Sequence, residues 1–421
     1  MRRAARRAAV ALALGVAAGG APATAAEGPN AARSFDALYD VRLVAGEGIA
    51  RVAIELGPVA GRLHWIQLRI DPQRQFGFQG DGTIEAKGDI VRWVMPPAGG
   101  RLEYTVRIDH LRDERSYDAR CAKSWALFRG EDLVPRSRLG FERGATSSAR
   151  LRVRLPEGWS VATPYAKGTD GTYILPPGTR VLAKPAGWLV AGHLGVLREK
   201  IAGVSVAIAS PRGQRLHRLD LLAFLRWTMP DLLAVVGRLP ERLLVVGAGD
   251  PMWRGGLSGP SSLYLHADRP LIAGDTTSPV LHELMHVAMR AVSGRDGDWI
   301  AEGLAEYYSI ELLARSRAIG RKRFEKAMAK IEERGKAARR LLVPQSTGAV
   351  TARAVGVMRA LDAEIRRASG GTRSLDDVVQ ALAADPVPIT TARFAKLVSI
   401  AAGSDLEPLV RRLVGEDWMH R

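Results

Sequence analysis

Alternation of apolar and polar positions dominates the first half of the chain. Leu102, Tyr104, Val106 and Ile108 interleave with Arg101, Glu103, Thr105 and Arg107. Leu151, Val153 and Leu155 interleave in the same way with Arg150, Arg152 and Arg154. A period of two sends one set of side chains to a core and the other to water, the mark of antiparallel strands with one wet face. Turn-forming stretches, Gln79-Gly80-Asp81-Gly82 and Pro96-Pro97-Ala98-Gly99-Gly100, separate such runs. The span 26–210 therefore reads as a β-rich domain, with a β-sandwich as its simplest product.

The pattern changes from Leu216 onward. Residues 221–236 carry helical periodicity, and the short apolar runs 243–246 and 262–267 predict buried strands. After Ile310 the helical pattern continues to Arg421, with separate helices over 352–368 and 375–383 broken by Ser369-Gly370-Gly371. Pro386-Val387-Pro388 marks a further break. The expected fold class is α+β and multidomain: an N-terminal β-sandwich-like domain, a central domain over 211–320, and an α-helical C-terminal domain over 321–421 that packs on the central helices.

Composition adds three constraints. The chain opens with Arg2, Arg3, Arg6 and Arg7, an apolar run from Ala8 to about Ala18, and the small-x-small site Ala23-Thr24-Ala25. Residues 1–25 read as a cleaved signal peptide, which implies an exported protein, periplasmic or extracellular. Cys121 is the sole cysteine, so no internal disulfide forms and any metal site must use nitrogen and oxygen ligands. The formal net charge is +17. Export argues against a nucleic-acid partner, and the basic excess suits weak contact with an anionic membrane surface or cell-wall polymer. Its densest cluster runs from Arg315 through Arg321, Lys322, Arg323, Lys326, Lys330 and Arg334 to Arg340, interleaved with Glu325, Glu332 and Glu333, and predicts a basic, mostly solvated helix.

Chemistry concentrates at His282-Glu283-Leu284-Met285-His286. Residues i and i+4 lie above one another on a helix, so the two imidazoles can grip one ion while Glu283 stands beside them as a general base. Ser278 followed by Pro279 predicts the start of that helix, and Gly294 its stop. Fifteen residues separate His286 from Glu302, which lies in the first turn of a second expected helix capped by Asp298. Catalytic zinc takes three protein ligands and keeps one position for water, which makes Glu302 the expected third ligand. Glu306, one turn further, can accept a hydrogen bond from a ligand imidazole. His/Glu ligation without cysteine suits a single Zn2+ best.

His282-Glu283-x-x-His286 followed by Trp299-x-x-Glu302-Gly303-x-Ala305-x-Tyr307 resembles the gluzincin zinc metallopeptidases, and within them the glycyl aminopeptidase family and its peptidase MA-like relatives. Gly255-Gly256-Leu257-Ser258-Gly259 is similar to that family's glycine-led segment before the edge strand of the cleft, and Ser374-Leu375-Asp376-Asp377 to its S-L-D-D stretch. The resemblance implies a thermolysin-like zinc catalytic domain and hydrolysis of peptide bonds. It also implies that Leu263, Tyr264, Leu265, His266 and Ala267 form a strand that pairs with extended substrate.

Three departures bear on activity. The spacer between His286 and Glu302 is shorter than in the alanyl aminopeptidase pattern. Ser258 stands where the family has a glutamate that recognises a free amino terminus, which favours an endopeptidase over an aminopeptidase. The family's transition-state tyrosine has no counterpart: its segment reads Arg353-Ala354-Val355-Gly356, and no tyrosine follows Tyr308. Arg353 and Tyr307 are the candidate oxyanion donors that remain. The alternative to a peptidase is a catalytically idle metal-binding scaffold or interaction protein of the cell envelope.

Overall fold

The computed structural model describes residues 34–177, 181–290, 294, 296–385 and 387–415. The expected signal peptide, 1–25, lies outside the described residues. Among the described residues no helix is long and apolar enough to cross a membrane. The chain is α+β and multidomain, with several sheets in its first two-thirds and helices thereafter.

The alternating runs become a seven-stranded sheet, in which Ser34–Val44 lies parallel to Thr146–Arg154 and antiparallel to Ile49–Leu56, followed by Gly100–Arg107 and Gln75–Gly80. Leu102, Tyr104, Val106 and Leu151 point into its core. Among the arginines that alternate with them, Arg152 and Arg154 flank the buried Asp40 on the neighbouring strand, with Arg154 Nε 2.7 Å from Asp40 Oδ1. A four-stranded sheet containing Leu63–Arg69 and Ile90–Val94 closes the same core with Ile66, Leu68, Val91 and Trp93.

Two further sheets stack behind this layer, and their sequences show why. In the strand Trp125–Arg129, Ala126 and Phe128 join the first core, while Trp125 and Leu127 join a second core shared with Leu244, Val246 and Tyr264. In the strand Arg242–Ala248, Leu244 and Val246 face that second core, whereas Leu243 and Val245 face the helices. A strand covered on both faces loses its alternation and reads as a continuous apolar run.

The last sheet sets up the site. Its order is Leu194–Ile201, Val204–Pro211, Arg242–Ala248, Ser262–His266, Gly256–Gly259. This corrects the expected boundary at 210: the hairpin 194–211 belongs here, because Val204–Pro211 pairs in parallel with Arg242–Ala248. The helix Arg218–Val236 and the helices from Pro279 onward cover the face that carries Leu243, Val245, Leu263 and Leu265.

Candidate metal centre

The helix Pro279–Met289 begins where Ser278 and Pro279 predict. The Ser278 hydroxyl accepts from the Leu281 amide at 3.3 Å and donates to the Leu271 carbonyl at 2.7 Å. Val280, Leu281, Leu284, Met285 and Ala288 are buried, which turns His282, Glu283 and His286 to the open side. The helix stops ahead of Gly294. Arg290 adopts a left-handed conformation at φ 49° and its amide donates to the His286 carbonyl.

The second helix, Asp298–Arg315, is capped by Gly297 in place of Asp298, whose carboxylate instead accepts the Ser346 amide at 2.6 Å. Trp299 anchors its first turn, fully buried, with its indole N–H donating to Thr391 Oγ1 at 3.1 Å. Gly303 lets the helix Ala349–Ala368 approach closely: a Cβ there would lie 2.7 Å from that of Ala354.

These two helices bring His282, His286 and Glu302 together, with one ligand atom of each within 4.8 Å of the others. His282 Nε2 and His286 Nε2 are 3.2 Å apart. Glu302 Oε2 lies 3.5 Å from His282 Nε2, and its Oε1 lies 3.4 Å from His286 Nε2. Bonds of about 2.0–2.1 Å in tetrahedral zinc coordination set ligand atoms about 3.3 Å apart. Two imidazole nitrogens and one carboxylate at these separations fit such an ion.

Burial and hydrogen bonds act in opposite directions on the charged groups of the centre. Burial opposes charge on His282, but its hydrogen bonds to Glu302 and Glu306 outweigh burial and push the imidazole up to about 10. Burial likewise acts to raise Glu302, yet the two imidazoles hold it well below the usual carboxylate range. Glu306 lies 3.1 Å from His282 Nδ1, so it can fix the tautomer that turns Nε2 toward the centre. Glu283 packs against the glycine of the neighbouring strand: a Cβ at Gly256 would lie 3.0 Å from its Cγ.

Other expected site residues lie elsewhere. Ser262–His266 is not an edge, because it pairs with Arg242–Ala248 on one side and with Gly256–Gly259 on the other. Its backbone is spent on the sheet and cannot add a substrate strand, which removes Leu263, Tyr264, Leu265, His266 and Ala267 from that role. His266 is buried between Asp250 and Asp268 and stands outside the three-residue cluster. Gly256–Gly259 is the edge strand on this side of the sheet, and Leu194–Ile201 the edge at its other end. The His266 amide donates to the Gly255 carbonyl, so antiparallel alternation turns the backbone groups of Gly256 and Ser258 outward.

Neither oxyanion candidate faces the centre. The Arg353 guanidinium donates to the carbonyls of Ala338 and Arg339, at 3.2 and 2.9 Å, and to those of Leu413 and Val414. It ties the chain after the basic helix to the last described helix. Tyr307 is buried; burial, then the charges of Asp362 and Glu311, push its hydroxyl well above the ordinary value. The S-L-D-D stretch is structural. Ser374 and Asp377 form a capping box, while Asp376 accepts from Tyr308 at 2.7 Å and pairs with Arg315.

No family model matches the chain, and no curated protein matches it. Among solved structures, its fold is similar to that of an aminopeptidase N family protein from Idiomarina loihiensis, with a TM-score of 0.69 and 14% identity. The likeness covers 90% of this chain and 76% of that one.

Proposed function

We propose that the chain is an exported zinc-dependent peptidase with a thermolysin-like catalytic domain. The observation that carries this reading is the triangle of His282, His286 and Glu302, with Glu283 against the free edge strand. The likeness to an aminopeptidase N family protein supports a peptidase fold.

His282, His286 and Glu302 would hold one zinc ion. Bound there, zinc supplies Lewis acidity, which polarises a carbonyl and makes water a stronger acid. The outward backbone groups of Gly256 and Ser258 pair with an extended substrate and lay its scissile carbonyl near Glu283. Glu283 takes a proton from the attacking water as the C–O bond forms, then delivers it to the leaving amine as the C–N bond breaks. Glu306 keeps the Nδ1 proton of His282 in place, so the ring stays oriented. Ser258 offers no anion to a free α-ammonium, and we read an endopeptidase in preference to an aminopeptidase.

The placement of Arg353 and Tyr307 away from the centre favours one second reading, an idle metal-binding scaffold. Turnover separates the two. Amino-terminally acetylated peptides should be cut by the wild type and spared by Glu283→Gln at equal zinc content; equal behaviour of the two proteins on acetylated peptides would remove the endopeptidase reading, and equal behaviour on free peptides as well would remove the peptidase reading.

A further inference from the structure

The basic helix has a face turned toward the metal centre. Arg323 and Arg334 lie three turns apart on Arg321–Gly335, and both reach the loop that leads into Ser278. Arg323 Nε donates to Thr276 Oγ1 at 3.3 Å. Arg334 extends one guanidinium nitrogen to Asp275 Oδ2 and the other to Glu306 Oε1, each at 3.8 Å. The second oxygen of Glu306 is the one on His282 Nδ1. Asp275 is itself fixed: its Oδ1 accepts from the Thr277 amide and hydroxyl, at 3.2 and 2.8 Å. Between them Thr276 sits at φ 75°, a conformation that a β-branched residue adopts only when its surroundings impose it.

We propose that Arg334 is a positioning residue for the metal centre, acting through Glu306. The inference rests on the metal-site reading above. At 3.8 Å these are ion pairs longer than hydrogen bonds, and a cation held between two carboxylates favours the orientation of each that faces it. Arg334 thus sets the angle at which Glu306 meets His282, and ties that angle to the loop before the N-cap of the His282 helix. As isolated ion pairs, contacts at this exposure would contribute little; their effect is on the geometry of Glu306.

The sign of the outcome distinguishes positioning from a field effect. A cation near a dication site repels the metal, so removing it would tighten binding if field alone acted. Loss of positioning weakens binding. The test measures zinc affinity of the full chain by competition with a chelating dye, for the wild type, Arg334→Met, Glu306→Gln and the double variant. Arg334→Met should bind zinc about five- to tenfold more weakly, below the roughly 10–100-fold effect of a direct partner such as Glu306. In the Glu306→Gln background the same substitution should cost nothing more. Unchanged or tighter binding by Arg334→Met, or a cost that persists in the double variant, would overturn the proposal. If Arg334→Met does not fold, by circular dichroism, Arg334→Lys is read in the same cycle, with a smaller loss expected. A wild type that takes up no zinc, or a His286→Ala variant that binds as well as wild type, would sink the metal-site reading itself and the inference with it.

Discussion

Gly256 faces Glu283: a Cβ on Gly256 would lie 3.0 Å from Glu283 Cγ and 3.2 Å from its Oε1. The edge strand and the general base therefore share a boundary that only glycine leaves clear. Gly256→Ala should push the carboxylate by a few tenths of an ångström and leave the fold intact, since its φ is not in the left-handed region. A misplaced base costs rate more than binding. The expected result is a fall in kcat of about tenfold, roughly 1.4 kcal/mol, with zinc affinity unchanged, read from peptide turnover and dye competition on the same preparation.

Zinc should stabilise the protein by mass action. At a free concentration one hundred times the dissociation constant, the gain is about 2.7 kcal/mol. Dialysis against a chelator should lower Tm, zinc should restore it, and His286→Ala should show neither change. Differential scanning fluorimetry reads all three.

Arg353 should prove structural. Its guanidinium is bonded to four backbone carbonyls in two segments far apart in the chain. Hydrogen bonds from a charged donor contribute about 1.5–3 kcal/mol, so Arg353→Met should lower unfolding stability by about that much. Activity per zinc-loaded molecule should be unchanged. A selective loss of kcat with stability intact would return Arg353 to the catalytic machinery.

Sequence and structure agree where local chemistry decides. Ser278 and Pro279 start the His282 helix because a hydroxyl cap and a first-turn proline act within four residues. The cluster of His282, His286 and Glu302 was legible for the same reason, as a helical period followed by a carboxylate near the start of the next helix, which the structure places just past its first turn. The edge strand was not. Gly256–Gly259 is Gly-Leu-Ser-Gly, without β-branched or aromatic residues, and only its pairing with Ser262–His266 makes it a strand. The run Ser262–His266 reads as buried, but burial does not tell an interior strand from an edge. The boundary at 210 failed because Val204–Pro211 finds its parallel partner beyond a 19-residue helix. The role of Arg353 depends on carbonyls in the preceding loop and on others beyond the following helices, which no local pattern reveals.

Cys121 gives a pH-dependent check on the β domain. Its thiol is buried, and burial first, then the charge of Asp109, pushes it up to about 12. A free cysteine ionises near 8.5. As pH rises, the unfolded chain therefore loses its proton first, and this group's contribution to stability is present below about 8.5 and is lost toward 12. At pH 8.5 iodoacetamide should label the native protein far more slowly than the urea-unfolded chain. Equal rates would mean that the strand Tyr117–Cys121 opens readily.

The most direct test of the account is cleavage of a diverse peptide mixture, half of it amino-terminally acetylated, read by mass spectrometry with wild type and Glu283→Gln at equal zinc occupancy. Internal cuts by the wild type alone, in acetylated and free peptides alike, are predicted. No products from either protein, with zinc bound in both, would contradict a peptidase and leave an idle metal site.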